Sequence, residues 1–211
     1  MATFLDLIDE IASDIGARVD NVLTDQIKEA INRAIEDYEE ERFLFNEGID
    51  TSLNTVVNQP SYTLPTDILH IDQVVYVFST YDYRLQWQTY EWYIEILGNQ
   101  TSQVGPSQYY TIYGGLIYLY PTPNEITNVP ISGILREANV PLVNDGDENG
   151  WTNEAKQLIK ARAKMDLFAN RLYKADAAQA QQVLADNYFK HLRRSSDRLR
   201  VMGTARPFRA W

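Results

Sequence analysis

Cysteine is absent from the 211-residue chain. That excludes a disulfide framework, a thiol nucleophile and any metal site built on thiolates. Histidine is nearly absent, with His70 and His191 far apart and neither in a pattern such as HExxH. There is no GxSxG elbow for a serine nucleophile. No phosphate loop is present, and Gly114-Gly115 lacks the other elements of one. No apolar run approaches the length that crosses a bilayer. The opening MATFLDLIDE carries acids where a signal peptide needs a basic start and an apolar run. The expectation is a soluble protein without a standard export signal, with no catalytic site, no metal site, no cofactor and no membrane partner.

Bases are scarce until the last third. Residues 1–50 carry 14 acids and 4 bases, residues 51–150 carry 10 acids and only Arg84 and Arg136, and residues 151–211 carry 5 acids and 13 bases. The net charge of -10 therefore hides a basic end. Such asymmetry suits docking on an oppositely charged partner. It also suits head-to-tail contacts between copies, which can close into a ring.

What is present falls into three stretches. Thr3 is placed to cap a helix whose stripe is Phe4, Leu5, Ile8, Ile11, Ala12 and Ile15, ending near Gly16. Thr24 is placed to cap a second, with Ile27, Ala30, Ile31, Ala34, Ile35 and Tyr38 on one face. The run Glu36, Asp37, Glu39, Glu40 and Glu41 reads as its solvated face, since adjacent acids on a helix point in different directions. The period then changes. Ser61–Leu64 reads as a short extended piece and Ile68–Phe78 as a buried strand. Arg84, Leu85 and Trp87 suggest a return strand across a turn at Ser79–Tyr83. Thr89–Leu97 reads as a short helix. Tyr109–Tyr113 and Leu116–Tyr120 form a hairpin at Gly114-Gly115, where tight turns need positive φ. Val129–Glu137 reads as a further strand. Trp151 precedes Thr152, which would cap a third helix, with Trp151 packing back on Ala155 or Lys156. After a break near Tyr173 or Lys174, a fourth helix runs from Asp176 to about Met202, ended by Gly203.

The fold class predicted is α+β. The N- and C-terminal helices (1–50 and 151–202) form one bundle, because neither buries its stripe alone. Residues 51–150 form an inserted, mostly antiparallel β-rich lobe, and 203–211 an extended tail.

Glu91 and Glu95, four apart beside Tyr90, Trp92 and Tyr93, are the most glycosidase-like feature. Paired carboxylates that flank a scissile bond usually come from separate elements across a cleft. The tyrosine-rich hairpin (Tyr109, Tyr110, Tyr113, Tyr118, Tyr120) is apolar on both faces, which suggests packing within or between chains. Base stacking is disfavoured, since only Arg84 and Arg136 are nearby to hold a backbone. His70, between Leu69 and Ile71, reads as a satisfied structural residue. The end RPFRAW combines arginine and tryptophan, which are common interface anchors.

With these pieces placed, the chain resembles the head-to-tail adaptor, or connector, proteins of tailed bacteriophages, especially short-tailed ones. The resemblance rests on IEDYEEERFLFN, on SYTLPTDILHIDQV, on YYTIYGGLIYLYPTP and on the long helical end from Trp151. It implies a structural virion protein at the head-tail junction, made in the host cytoplasm. A homo-oligomeric ring, typically of twelve copies, would bind the portal protein, receive the tail hub or nozzle protein, and continue the DNA channel without sequence-specific DNA binding. Mapped onto this chain, the portal-binding candidates are Arg193, Arg194, Arg198, Arg200, Arg206, Phe208, Arg209 and Trp211. Tail-side or inter-subunit candidates are Tyr83, Trp87, Trp92, Tyr109, Tyr113, Gly114, Gly115 and Tyr118. The alternatives are another neck protein, such as a stopper or completion factor, a carbohydrate-binding module, and a scaffold protein without a viral role.

Overall fold

The computed structural model describes residues 2–16, 21–79, 81–99, 103–136 and 141–204. The chain divides into two compact units, Met1–Asn46 with Arg136–Trp211, and Glu47–Leu135. The first is helical and the second is β-rich.

In the helical unit, α1 (Phe4–Ile15) starts at a reciprocal cap. The Asp6 N–H donates to the Thr3 hydroxyl, and the Asp6 carboxylate accepts from the Thr3 N–H. Gly16 closes the helix at φ 64, in the left-handed region that glycine tolerates. The buried stripe includes Leu7, while Leu5 is exposed, so the predicted stripe is off at that position. α2 (Asn21–Glu36) begins ahead of Thr24, which therefore lies inside the helix rather than capping it. The reason is that Leu23 already packs on the core. α2 also ends at Glu36, so Asp37–Glu40 form turns rather than a helical face.

The expected third helix is two elements. Asn149, not Thr152, caps the single turn α4 (Gly150–Asn153). Its side-chain oxygen accepts from the Trp151 and Thr152 N–H groups, and the Thr152 hydroxyl accepts from the Asn149 N–H. Helix α5 (Lys156–Asn170) follows. Helix α6 (Ala175–Thr204) begins after Tyr173, held at φ 51, and continues through Gly203. Trp151 is buried in one core cluster with Ala155. Its indole meets Phe43 and Phe45 edge-on, with centroids 5.7 Å and 4.9 Å away, in the core that α1, α2 and α5 share.

The β unit holds two four-stranded sheets. The first has the order β1 (Glu47–Asp50), β8 (Ile131–Leu135), β3 (Ile68–Phe78), β4 (Tyr81–Arg84), with every neighbour antiparallel. The second has the order β2 (Ser61–Thr63), β7 (Leu116–Tyr120), β6 (Tyr109–Tyr113), β5 (Gln86–Trp87). The predicted return strand is thus shared between sheets. The chain turns at Ser79 (φ 58), pairs with β3 as β4, and buries Leu85, whose N–H donates to the Val74 carbonyl. It then joins β6 in parallel as β5. The Gly114-Gly115 hairpin forms as expected, with φ of 61 and 77. β8 is shorter than predicted, and Glu137 lies outside the described residues. Gly133 is required by close approach, since a Cβ there would sit 1.8 Å from the His70 carbonyl oxygen. His70 itself is exposed, its ring 3.6 Å from the Asp72 carboxylate. The core between the sheets is built on Val74, Tyr76, Ile117, Leu119, Val129 and Ile131.

Candidate functional site

Three surfaces carry the residues singled out by sequence. The first is aromatic. α3 (Tyr90–Asn99), whose first turn donates the Trp92 N–H to the Thr89 hydroxyl, lies on the β6–β7 hairpin. Tyr90 stacks on Tyr113 at 4.1 Å with planes 7° apart. Tyr93 meets Tyr118 at 5.2 Å, and Trp92 sits between Tyr109 and Tyr120 at 5.1 Å and 5.9 Å. These rings seal helix to sheet, at centroid spacings where aromatic pairs add to burial. Of the tail-side candidates, Trp92, Tyr109 and Tyr118 are half-buried in this ladder. Tyr83, Trp87, Tyr113, Gly114 and Gly115 are exposed. Glu91 and Glu95 are exposed on α3. A sugar platform loses its support here, because its aromatic faces are occupied by other rings.

The second surface is on α6. Lys190, Arg193, Arg194, Asp197 and Arg198 recur at i, i+3, i+4, i+7 and i+8, one stripe of a helix. Arg193, Arg194 and Arg198 are exposed. Arg200 differs. It is half-buried, donates to Asp197 at 3.1 Å and to the Arg42 carbonyl, and belongs to the face that packs through Phe189, Leu192 and Ser196. Arg206, Phe208, Arg209 and Trp211 lie outside the described residues.

The third is the acid–base contact between α1 and α5. Lys156 Nζ donates to Glu10 at 2.6 Å, Lys160 bridges Glu10 (3.2 Å) and Asp14 (2.9 Å), and Lys164 reaches Asp14 at 3.0 Å. Hydrogen bonds from Lys156 to Glu10 and from Lys160 to Asp14 hold both carboxyls below their ordinary values. Burial alone would lower Lys160, yet its bonds to Asp14 and Glu10 raise it. Arg162 with Asp37 and Arg136 with Glu39 repeat the pattern. Part of the acidic start and part of the basic end therefore pair within one chain. The expectation that this asymmetry is held for contacts between copies is corrected to that extent. Among the described residues Lys190, Arg193, Arg194 and Arg198 form an exposed, mostly basic stripe on α6.

Among the described residues no group of three or more metal-ligating side chains converges, and no helix is long and apolar enough to cross a membrane. A groove of about 520 Å³ at the α5–α6 turn is lined by Met165, Ala169, Tyr173, Ala175, Ala178, Gln179 and Gln182, without an acid, base or histidine.

Comparison with curated proteins gives no match. The family model described as SU10 adaptor protein matches residues 2–208, spanning both helical segments and the β insert. An adaptor of this family is a structural, non-enzymatic component of the phage virion, part of an oligomeric ring that links portal and tail at the head-tail junction. Its helices flanking an insert of two sheets accord with that match, and the chain belongs to the SU10 adaptor protein family.

Proposed function

We propose that twelve copies close the ring and dock on the portal protein through the basic stripe of α6 together with Arg206, Phe208, Arg209 and Trp211. The exposed Tyr83, Trp87, Tyr113 and the Gly114-Gly115 turn would then supply contacts to the tail hub or nozzle, or between subunits. In this reading the helical unit is the body of the ring, Glu47–Leu135 the tail-side lobe and the residues after α6 an arm. One observation carries the portal assignment. Arg193, Arg194 and Arg198 stand on one exposed helical stripe, while the lysines of α5 are committed to α1. Arginine suits such docking because its planar fork binds carboxylates through two parallel hydrogen bonds. DNA would pass without being gripped, since a chain of net charge -10 offers phosphates little attraction.

The test is binding to the purified portal ring of the same genome. Replacing Arg193, Arg194 and Arg198 by alanine should leave helicity intact and weaken binding about tenfold or more at low salt. Binding of the parent chain should itself weaken as salt rises. Deleting 204–211 should also weaken it. Unchanged affinity in both variants sinks the portal assignment.

A further inference from the structure

The first sheet ends in two strands of matched length. β1 and β4 each have four residues, and among the described residues each pairs on one side only. All of β4 is exposed, with Tyr81 at 66% and Tyr83 at 48%, and Ile49 on β1 is 65% exposed. An open edge is a template for another strand. Exposed aromatics along it are what an added strand covers.

We infer that β4 of one copy pairs with β1 of the next, so that the first sheet continues from subunit to subunit. The inference rests on the ring described above. Because each neighbouring pair in the order β1-β8-β3-β4 is antiparallel, β4 runs opposite to β1. A neighbour displaced along the sheet in the same orientation therefore offers β1 antiparallel to β4. The contact joins two different edges, as a cyclic ring requires.

Register supports the pairing. Full overlap sets Tyr81 opposite Asp50 of the next copy, Asp82 opposite Ile49, Tyr83 opposite Gly48 and Arg84 opposite Glu47. Faces are kept. Asp50 pairs with Ile131, Ile131 with Val74, and Tyr83 with Tyr76, so Asp50, Gly48, Tyr81 and Tyr83 share the core-side face. A slip of one residue would break this match. Arg84, the one lysine or arginine between residues 47 and 135, would face an acid, a favourable cross-strand pair. Against this, the β unit carries eight acids to one base, a net -7, so adjacent lobes repel. Pairing should then tighten as salt rises, opposite to the portal contact.

The cysteine-free sequence allows a direct test. Asp82→Cys combined with Ile49→Cys places thiols on exposed, opposed positions of neighbouring copies. Within one chain β1 and β4 are three strand spacings apart, about 14 Å, beyond the reach of a disulfide. On rings assembled with the portal at low salt, oxidation should convert most of the double variant into a covalent ladder up to the full ring. Each single variant should stay monomeric on a non-reducing gel. Closed rings in end-on images, with the double variant still monomeric on the gel, would overturn the edge pairing and leave the ring standing. Failure of the parent chain to form any ring on the portal would refute the ring itself, and the pairing with it.

Discussion

Tyr76 is fully buried on β3, and among the described residues its hydroxyl has no hydrogen-bond partner of good geometry. The neighbouring Thr55 hydroxyl donates instead to the Glu125 carbonyl at 2.8 Å and accepts the Thr127 N–H. Burial, with the Glu125 charge adding to it, pushes the Tyr76 phenol up to about 12. An unpaired buried hydroxyl costs more than the same volume of ring. Tyr76→Phe should therefore stabilise the β unit, by about 1 kcal/mol, seen as a higher urea midpoint with an unchanged slope. A lower midpoint would show that the hydroxyl is satisfied. The VVYVF run announced a buried strand, but not which tyrosines would be inside. Tyr76 and Tyr83 are paired on the same face, one buried and one exposed. The difference is that β4 is the last strand of its sheet, a fact of pairing over distance that local pattern does not carry.

Among the elements, α1 is tied to α5 by charge as well as by its apolar stripe. Glu10 and Asp14 have folded values below their ordinary 4.5 and 3.8. Their contribution is therefore present above those values and lost as pH falls through the depressed ones. Lys160, raised above 10.5, adds a contribution present below that value and lost as pH climbs through the raised one. Lys160→Met should lower stability near neutrality, and the variant and parent should converge in acid once both carboxyls are protonated. Thermal melts across that acid range check this, and a gap that persists in acid would assign the lysine's effect to packing. The helical stripes were legible because a 3.6-residue period is local. Thr3 was legible as a cap for the same reason, since its partner is three residues on. Thr24 and Thr152 misled because capping chemistry is equally available inside a first turn. The real starts are set by Leu23 packing on the core and by Asn149. The passage of one stretch from β4 in the first sheet to β5 in the second left no periodic trace, since both halves read as extended chain.

For the whole molecule, two units with separate cores should respond separately to damage. Trp151 anchors the helical core against Phe43 and Phe45. Trp151→Ala should cost that unit about 3–5 kcal/mol. Hydrogen exchange should then speed in α1, α2 and α5 while β3, β7 and β8 keep their protection. Uniform loss across both units would show that they unfold as one. The division into flanking helices and a β insert was legible from the change of period. The adaptor relationship was legible from motifs in a fixed order. The aromatic ladder was legible only as composition, because helix-on-sheet stacking joins Tyr90 to Tyr113 across a loop. The helical unit is also assembled from two separated stretches, with about 120 residues between the end of α2 and the start of α5. At roughly 5–20 residues per second on the ribosome, α1 and α2 emerge on the order of ten seconds before the helix that covers them. The contiguous β unit can finish folding in that interval. Translation of α5 thus decides when the earliest-made helices stop being a client for chaperones.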